Sequence, residues 1–473
     1  MAAILSREER AWDEGKDDWR RRRGGSGTGT PTSCVRCLGR GWTWTGPSLR
    51  LVGAGSFSPS RVFWLFLAQV LSPGGACRDA VRRFLAHLAR NRMSASPRTA
   101  AYCKARARLP QGGIDRVHGG VVRKVRGAYL ARRLWFGRAV KVVDGSGLSM
   151  PDTPANQALY PQPKRTKKSC SFPVMRVVGL FCLGTGILID MAKGSLAVGE
   201  RALFRSLWGW LEAGDVVLAD RGFCGYAEYH FLAQRGVDCV MRAHQRRTVG
   251  KTRLKRLGRG DCLVARHKSK AGPKWPDKAT WRTIPDTLVV REIAFLVPVK
   301  GFRTDRITVA TSLLDPNAFP TRAFADLYRR RWEAELFLRD VKITMGMDIL
   351  RCKTPEMVHK ELTLHLIAYN LVRLTMLEAT AAEGVALERV SFKGTLVTLR
   401  HWTPLFIASS RSTRLALWSA MLRCIARDPV PHRPGRLEPR ARKRRPKNYQ
   451  LLNKPRCIFK EIYHRNKYAK TLS

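Results

Sequence analysis

The first regular hydrophobic pattern along the chain is that of α-helices. Between residues 58 and 109, apolar residues recur at helical spacing in three runs, separated by breaks rich in Gly, Pro and Ser. The runs are SPSRVFWLFLAQVL, CRDAVRRFLAHLAR and RTAAYCKARARL, and the breaks are SPGGA and SASP. The pattern predicts a small helical module. Its cations favour contact with DNA, and simple packing is the alternative.

The pattern changes to that of strands at residue 139. The run AVKVVDGSG (139–147) reads as a buried strand that stops at an acid and a turn, and the runs 174–183 and 187–192 flank GTG as a hairpin. A helix ended by glycine leads to the strand DVVLAD, with Asp220 at its tip, and then to the helix AEYHFLAQRG and the strand VDCVMRA. This order of elements indicates a mixed sheet with helices packed on it.

After these strands come a segment that interrupts the pattern, further helices and a basic tail. Basic loops and short β runs from 246 to about 312 indicate an inserted β subdomain, and ELTLHLIAYNLVRLTMLEAT beyond it is helical. The first 55 residues show neither helical nor strand periodicity, so a disordered leader is expected. Alternatively, the true translation start lies downstream of Met1. The predicted division is a leader (1–55), a helical DNA-binding domain (56–135), a catalytic domain (136–345), C-terminal helices (346–427) and a basic tail (428–473).

Charge narrows the class of partner. The 473 residues are 44% hydrophobic, so most of the chain folds, and 87 Lys and Arg against 36 Asp and Glu give a net charge of +51. Such a balance favours nucleic acid as the partner, with a membrane surface as the lesser alternative. The longest apolar run, VFWLFLAQVL, is about half of the ~20 residues that span a bilayer. We therefore expect a cytoplasmic, nucleoid-associated protein without a membrane partner.

The twelve cysteines do not indicate a zinc site. The pair CVRC, at Cys34 and Cys37, has no second pair at the distance that a zinc site needs. Reduced thiols without a metal are therefore expected.

Two aspartates carry the candidate chemistry. Asp144 is followed by GSG and Asp220 by RGF, so each acid stands where a core strand turns. A single acid at such a position is ordinarily a cap of a turn or helix. Two of them in one sheet of a basic protein favour a metal site, because neighbouring carboxylates repel unless a divalent cation such as Mg²⁺ lies between them.

The segment YRRRWEAELFLRDVK offers a third acid. Read as one uninterrupted helix at about 100° per residue, it places Tyr328, Arg331, Glu335 and Lys342 within an arc of roughly 60°. The other acids of the segment point elsewhere, so only Glu335 shares a face with these cations. The alternative is a solvated helix with i to i+4 ion pairs.

These motifs resemble those of a known family. The spacing Tyr-x2-Arg-x3-Glu-x6-Lys resembles the signature of the IS4 family of DDE transposases, VVDGSG resembles its first-aspartate strand and LADRGF its second. The resemblance extends over roughly residues 57–456. It implies an RNase H-like catalytic core with a mixed sheet and a β insertion, flanked by an N-terminal helical domain and C-terminal helices.

The resemblance also implies a reaction. Transposases of this family hydrolyse DNA at transposon ends, and the freed 3′-hydroxyl attacks a second phosphodiester. Two Mg²⁺ ions, with Mn²⁺ as a substitute, would be held by Asp144, Asp220 and Glu335. The implied phosphate contacts are Tyr328, Arg331 and Lys342.

The expected partners are double-stranded DNA, at transposon ends and target, and a second copy of the chain. The basic loops at 246–280 and the tail at 433–447 suit the DNA backbone, and the module at 58–109 suits the terminal repeats. Arg221 is either a DNA contact or part of a salt bridge. Two other functions remain: an RNase H-like metal nuclease that cuts without joining, and an inactive DNA-binding protein derived from a transposase.

Overall fold

The computed structural model describes residues 57–90, 92, 94–163, 172–243, 251–270, 272, 275–296 and 306–431. The leader, the CVRC pair and the polybasic tail lie outside these residues. In chain order, the elements are α1 (Pro59–Leu71), α2 (Cys77–Arg90), α3 (Thr99–Ala107), α4 (Gln111–Tyr129), β1 (Val140–Ser149), α5 (Pro154–Leu159), β2 (Val174–Cys182), β3 (Leu188–Ser195), α6 (Glu200–Ser206), β4 (Val216–Ala219), α7 (Tyr226–Gln234), β5 (Asp238–Arg242), β6 (Lys251–Gly258), β7 (Asp261–His267), α8 (Lys278–Thr283), β8 (Thr287–Leu296), β9 (Arg306–Thr311), α9 (Thr321–Arg330), α10 (Trp332–Arg339), a π-helical segment (Asp340–Thr344), α11 (Pro355–Glu383), α12 (Phe392–Ala408) and α13 (Arg411–Ala426).

The chain divides into two compact units. The first contains the described residues up to Gly127, together with Asp340–Met347 and His359–Pro431, and the second contains Ala128–Arg339 and Asp348–Val358. The N-terminal and C-terminal helices, which the sequence predicts as separate domains, thus fall in one unit. None of the described helices is long and apolar enough to cross a membrane.

The first unit is helical, and the three helices predicted between 58 and 109 are α1, α2 and α3. Ser58 caps α1 through its hydroxyl, and Pro59 occupies the first turn, where its missing N–H is not needed. Inside the unit, the Gln69 side chain accepts hydrogen bonds from the Tyr102 hydroxyl at 2.9 Å and from Arg106 at 3.2 Å. Helix α3 is therefore tied to α1 by a buried polar network as well as by apolar packing.

Helix α11 runs through the first unit and is buried around much of its surface. The Lys360 ammonium donates to the carbonyl of Ala107 at 2.6 Å, which joins α11 to the end of α3. The carboxyl of Glu378 is buried on the same helix, and its Oε2 has no hydrogen-bond partner among the residues that the structure describes. Burial raises the pKa of Glu378 to about 8, against the opposing effects of Lys124 and Trp418.

The second unit is built on a mixed sheet of nine described strands, in the order β3-β2-β1-β4-β5-β9-β8-β7-β6. Strand β4 is parallel to both of its neighbours, β1 and β5, and the other pairs are antiparallel. The predicted order of three strands, helix, strand, helix and strand is present as β1 to β5 with α6 and α7.

The β insertion predicted between 246 and about 312 is joined to the central sheet. Strand β9 pairs with β5, so strands β6 to β9 extend the central sheet. The physical reason is that the outer edge of β5 presents unpaired N–H and C=O groups, which the antiparallel β9 satisfies.

The sequence predicts that strand β1 stops at Asp144. In the structure it continues to Ser149. Its glycine-rich end pairs with β2, from Asp144 opposite Gly179 to Ser149 opposite Val174, and this ladder keeps the strand extended. The parallel pairing with β4 ends earlier, at Val142 opposite Leu218. Asp144 therefore lies beyond the parallel ladder while remaining inside the β1–β2 hairpin.

The segment predicted as one helix from Tyr328 to Lys342 is three segments. Helix α9 ends at Arg330, α10 begins at Trp332, and the π-helical segment follows from Asp340. Arg331 keeps helical backbone angles, but its N–H binds the carbonyl of Tyr328 and its carbonyl accepts from Ala334, both three residues away. Such tight turns and π turns differ in residues per turn from an α-helix, so a constant 100° step fails here.

A buried ion pair holds the insertion strands to the start of α9. Arg291 of β8, which is fully buried, binds both carboxylate oxygens of Asp261 at 2.9 and 2.5 Å and donates to the carbonyls of Asp315 and Phe319. The hydroxyl of Thr321, the first residue of α9, also donates to Asp261 at 2.7 Å. This network fixes where the helix that carries Tyr328 begins.

Strand β6 lies at the edge of the sheet, pairs only with β7 among the described strands, and is largely exposed. Its first six residues are all exposed, and four of them are cationic: Lys251, Arg253, Lys255 and Arg256. The eight cysteines in the described ranges are all free thiols.

Candidate active site

Asp144 and Asp220 lie at corresponding positions of neighbouring parallel strands. The last paired residues of β1 and β4 are Val142 and Leu218, and two residues further along each strand come the two aspartates. Their carboxylates act on each other, because the charge of Asp220 contributes to the pKa of Asp144. The structure thus brings the two predicted acids to one edge of the sheet.

The environment of Asp144 disfavours its charge. The pKa of Asp144 is raised to about 6; burial is the largest cause, and the negative charges of Glu335 and Asp220 also raise it. Two groups oppose this effect, the N–H of Gly145 at 2.9 Å and the Arg331 guanidinium. The charges of both other predicted acids therefore reach Asp144.

Asp220 is held by the turn that follows β4. Its Oδ1 accepts a hydrogen bond from the N–H of Gly222 at 2.7 Å, and its carbonyl accepts from Phe223. Arg221 is exposed at the tip of this turn and makes no salt bridge to any described residue. The predicted salt bridge is therefore absent among the described residues. The predicted contact of Arg221 with DNA stays a prediction.

Glu335 comes from α10 and is paired with Arg331. The Arg331 Nη2 lies 3.1 Å from Glu335 Oε1, and the side chains are 17% and 38% exposed respectively. Burial works against the charge of Arg331, but Tyr328, Glu335 and Asp144 outweigh it and raise the pKa of Arg331. The i to i+4 ion pair that the sequence offered as an alternative is present, and it lies beside the aspartates.

Tyr328 packs against the same guanidinium. Its ring centroid lies 5.9 Å from the centre of the Arg331 guanidinium. Burial raises the pKa of Tyr328, Arg331 and Arg242 lower it, and Asp220 raises it. The hydroxyl of Tyr328 is therefore within electrostatic reach of the second aspartate.

Arg242 lies at the same edge of the sheet, and the sequence motifs did not single it out. The last paired residues of β4 and β5 are Ala219 and Met241, so the next residues, Asp220 and Arg242, lie side by side. A signal was present, because Arg242 ends the strand VDCVMRA, which is parallel to the strand that leads to Asp220. The carboxyl ends of parallel strands meet at one edge of a sheet.

Lys342 lies in the π-helical segment and belongs to the first unit. Its predicted contact with phosphate stays a prediction.

The donor atoms at this edge suit a hard divalent cation. All three predicted ligands are carboxylates, and Mg²⁺ prefers oxygen ligands. The negative charges of Glu335 and Asp220 add to the burial that raises the pKa of Asp144, and a cation beside these carboxylates would relieve that effect. In this conformation, no group of three or more His, Cys, Asp or Glu within the described ranges is close enough to hold a metal ion. The carboxylate donors thus suit Mg²⁺ chemically. In this conformation, however, Glu335 is paired with Arg331.

Comparison with known proteins decides the family. Residues 135–371 match the family model of the transposase DDE domain, which covers all three acidic motifs. The chain belongs to the DDE transposases. The transposase is 28% identical over 351 residues to the transposase InsG of insertion sequence element IS4 from Escherichia coli K12, covering 74% of this chain and 75% of InsG. This relative places it in the IS4 family.

Two further matches are weaker. The transposase is 28% identical over 103 residues to the putative transposase InsZ of Escherichia coli K12, covering 22% of this chain and 34% of InsZ. A cryo-EM structure of the piggyBac transposase synaptic complex with hairpin DNA covers 80% of this chain and 79% of its own, at 10% identity and a TM-score of 0.40. That score is too low to establish a shared fold.

The family gives the class of reaction. DDE transposases cleave DNA and transfer strands with divalent metal ions, and this transposase is an enzyme of that class.

Proposed function

We propose that the transposase binds the terminal inverted repeats of an insertion sequence and moves it by cleavage and strand transfer at a site formed by Asp144, Asp220 and Glu335. The main support is the electrostatic setting of Asp144, whose pKa responds to Asp220, Glu335 and Arg331 together. These four residues come from three separate motifs. Their convergence at one edge of the sheet is what an RNase H-like catalytic core requires.

In this proposal, the three carboxylates would hold two Mg²⁺ ions, for which Mn²⁺ could substitute. When bound, the ions would supply Lewis-acid stabilisation of charge on the phosphodiester oxygens. The protein contributes the positions of the carboxylates: β1 fixes Asp144, the turn after β4 fixes Asp220, and α10 brings Glu335.

Arg331 has two successive roles in the proposed cycle. In the structure its guanidinium neutralises Glu335 at 3.1 Å, which lowers the repulsion among the acids. When Glu335 turns to the aspartates, the guanidinium becomes available for a bidentate grip on a phosphate. Tyr328 and Arg242 lie on the same side and serve the same phosphate, and Lys342 is proposed as a further contact.

A groove whose lining carries more cations than acids shares Arg242 with this edge. A cavity of about 1530 Å³ lies between α6, α7 and the strands β6 to β9, and its cationic lining includes Arg201, Arg242, Arg253, Arg256 and Arg306. Because Arg242 also acts on Tyr328, the groove and the acidic edge share a residue. We propose that the backbone of DNA follows this groove. Two DNA ends require two active sites, so a homodimer acting on nucleoid DNA is part of the proposal.

The decisive experiment uses the full chain, the inverted repeats of its own element and Mg²⁺. Glu335→Gln keeps the size of the side chain and removes its charge, so DNA binding is expected to persist while cleavage falls by on the order of 10³-fold or more. Gel shift and end-nicking assays measure the two effects. The matched control is Glu333→Gln, which removes the same charge from the same helix, where Glu333 pairs with Arg330.

The outcomes separate the alternatives. Cleavage without any joined product from pre-cut ends would support the nuclease. Binding without cleavage in the wild type would support the inactive DNA-binding protein. Full cleavage by Glu335→Gln would refute the site.

A further inference from the structure

A buried thiol joins the turn of Asp220 to the inserted strands. Cys224 comes four residues after Asp220, just before α7 begins, and its side chain is buried. Its Sγ accepts a hydrogen bond from Nη1 of Arg266, on β7, at 3.5 Å. A strand of the insertion thus contacts the turn that carries one of the acids proposed for catalysis.

Arg266 is held through its other terminal nitrogen as well. Its Nη2 donates to Oε1 of the buried Glu292, on β8, at 3.0 Å, and the second oxygen of Glu292 accepts from Lys251, on β6, at 2.8 Å. The guanidinium also lies 5.6 Å from the ring centroid of Tyr229. A planar cation that is bound at two nitrogens has a fixed orientation, so its contact with the thiol is fixed too.

Tyr229 joins the start of α7 to the same strands. Its hydroxyl donates to the carbonyl of Ala310, on β9, at 2.7 Å. Burial raises the pKa of Tyr229, Cys224 raises it as well, and Arg266 lowers it, so the three side chains act on one another. Cys224 therefore belongs to a cluster that ties both the turn of Asp220 and helix α7 to the insertion.

Packing of α7 on the sheet does not by itself account for the bond between Arg266 and Cys224. The hydroxyl of Tyr229 already ties the helix to β9, whereas Arg266 holds the turn that precedes the helix. The hydrogen bonds of Asp220 within its own turn shape that turn, but they do not fix it relative to the insertion. The Arg266 contact supplies that connection.

The same cluster faces the groove proposed for DNA, whose lining includes Arg266, Cys224 and Glu292. We propose that Arg266 is a positioning residue for Asp220 and acts through Cys224, fixing the turn so that the carboxylate is aligned with a DNA backbone in the groove. This inference rests on the proposed function. Misplacement of a reacting group by about 1 Å can cost on the order of 10²-fold in rate, so the position of this turn bears on cleavage.

The first test uses the full chain, the inverted repeats of its own element and Mg²⁺. Arg266→Lys keeps the positive charge in the groove but loses the fork of donors. The single-turnover cleavage rate is expected to fall by roughly 10- to 100-fold, while the dissociation constant for DNA changes by less than about 3-fold. The control is Arg235→Lys at the end of α7, where an exposed arginine also lies over an aromatic ring, that of Trp208. Equal cleavage rates for the two variants would overturn the inference.

Substitutions of Cys224 test the path of the effect. Cys224→Ser keeps an acceptor for the guanidinium and should cleave within about 3-fold of the wild type, whereas Cys224→Ala should lose roughly 10-fold or more. In the Cys224→Ala background, Arg266→Lys should have little further effect. Fully additive losses would show that Arg266 does not act through the thiol.

The melting temperature of each variant separates positioning from stability. A purely structural role would lower the melting temperature of Arg266→Lys and Cys224→Ala and leave the cleavage rate of the folded chains unchanged. That result would overturn the inference.

Glu335→Gln separates this inference from the proposed function. If Glu335→Gln abolishes cleavage and Arg266→Lys cleaves normally, only the inference fails. If Glu335→Gln cleaves normally, or if the wild type does not cleave, both fail.

Discussion

Arg331 is the residue on which the acidic edge depends. It pairs with Glu335, its charge lowers the pKa of Asp144, and its guanidinium lies over the ring of Tyr328. Glu335, Asp144 and Tyr328 thus all interact with one planar guanidinium, which has several N–H donors. A compact ammonium cannot reproduce this arrangement, because it lacks the fork of donors.

Arg331→Lys therefore tests the shape of the cation at constant charge. We expect DNA affinity to change by less than about 3-fold and the single-turnover cleavage rate to fall by roughly 10- to 100-fold. The control is Arg329→Lys in the preceding helix, where an exposed arginine pairs with Asp326. Equal cleavage rates for the two variants would contradict the role given to the Arg331 guanidinium.

At the residue scale, the sequence predicted the three acids from their motifs, and the structure brings their charges together. The helical-phase argument for Glu335 rested on a continuous helix that the tight turn at Arg331 breaks. Arg242 could have been found from the strand that it ends.

At the scale of elements, the start of α9 is set by the insertion strands. Arg291 and Asp261 form a buried pair that also holds Thr321 and two loop carbonyls. The pKa of Asp261 is lowered overall, because hydrogen bonds from Arg291 and Thr321 outweigh its burial. The periodicity of the sequence predicted these strands but not that they would continue the central sheet and anchor a helix.

Arg291→Met should leave the Asp261 carboxylate buried and unpaired. We expect a loss of about 3 to 5 kcal/mol in the free energy of unfolding, measured by urea denaturation followed by tryptophan fluorescence. The control Lys251→Met breaks the more exposed pair with Glu292 and should cost roughly 1 kcal/mol or less. The double variant Arg291→Met with Asp261→Leu should recover part of the loss. Similar losses for Arg291→Met and Lys251→Met would show that the buried pair is not a special anchor.

At the scale of the whole molecule, segments distant in the sequence form one unit. Helices α1 to α3 share a unit with α12, α13 and most of α11, and the Lys360 contact with Ala107 is one of the bonds that join them. Hydrophobic periodicity gives the face that each helix buries, but not the partner that it buries the face against. Because the packing partners could not be read from the sequence, the prediction grouped the helices by their order along the chain.

Glu378 makes the stability of this unit depend on pH. Its folded-state pKa of about 8 exceeds the ordinary value of 4.5, so between these values the folded chain holds a proton that the unfolded chain has lost. The folded state is therefore destabilised progressively as pH rises from about 4.5 to about 8. Glu378→Gln should match the wild type near pH 4.5 and exceed it by roughly 2 to 4 kcal/mol at pH 8.

Thermal unfolding of both chains at several pH values measures this difference. Glu388→Gln, at an exposed position of the same unit, should show no such trend. A constant difference between Glu378→Gln and the wild type across the pH range would contradict the assignment.

The exposed edge strand β6 has a consequence that concerns solubility. An open edge of a nine-stranded sheet can pair with the same edge of another copy and start aggregation. Lys251, Arg253, Lys255 and Arg256 place like charges along that edge, so two copies that approach edge to edge repel each other. The strand proposed to contact the DNA backbone would thus also resist polymerisation of the protein through its own sheet.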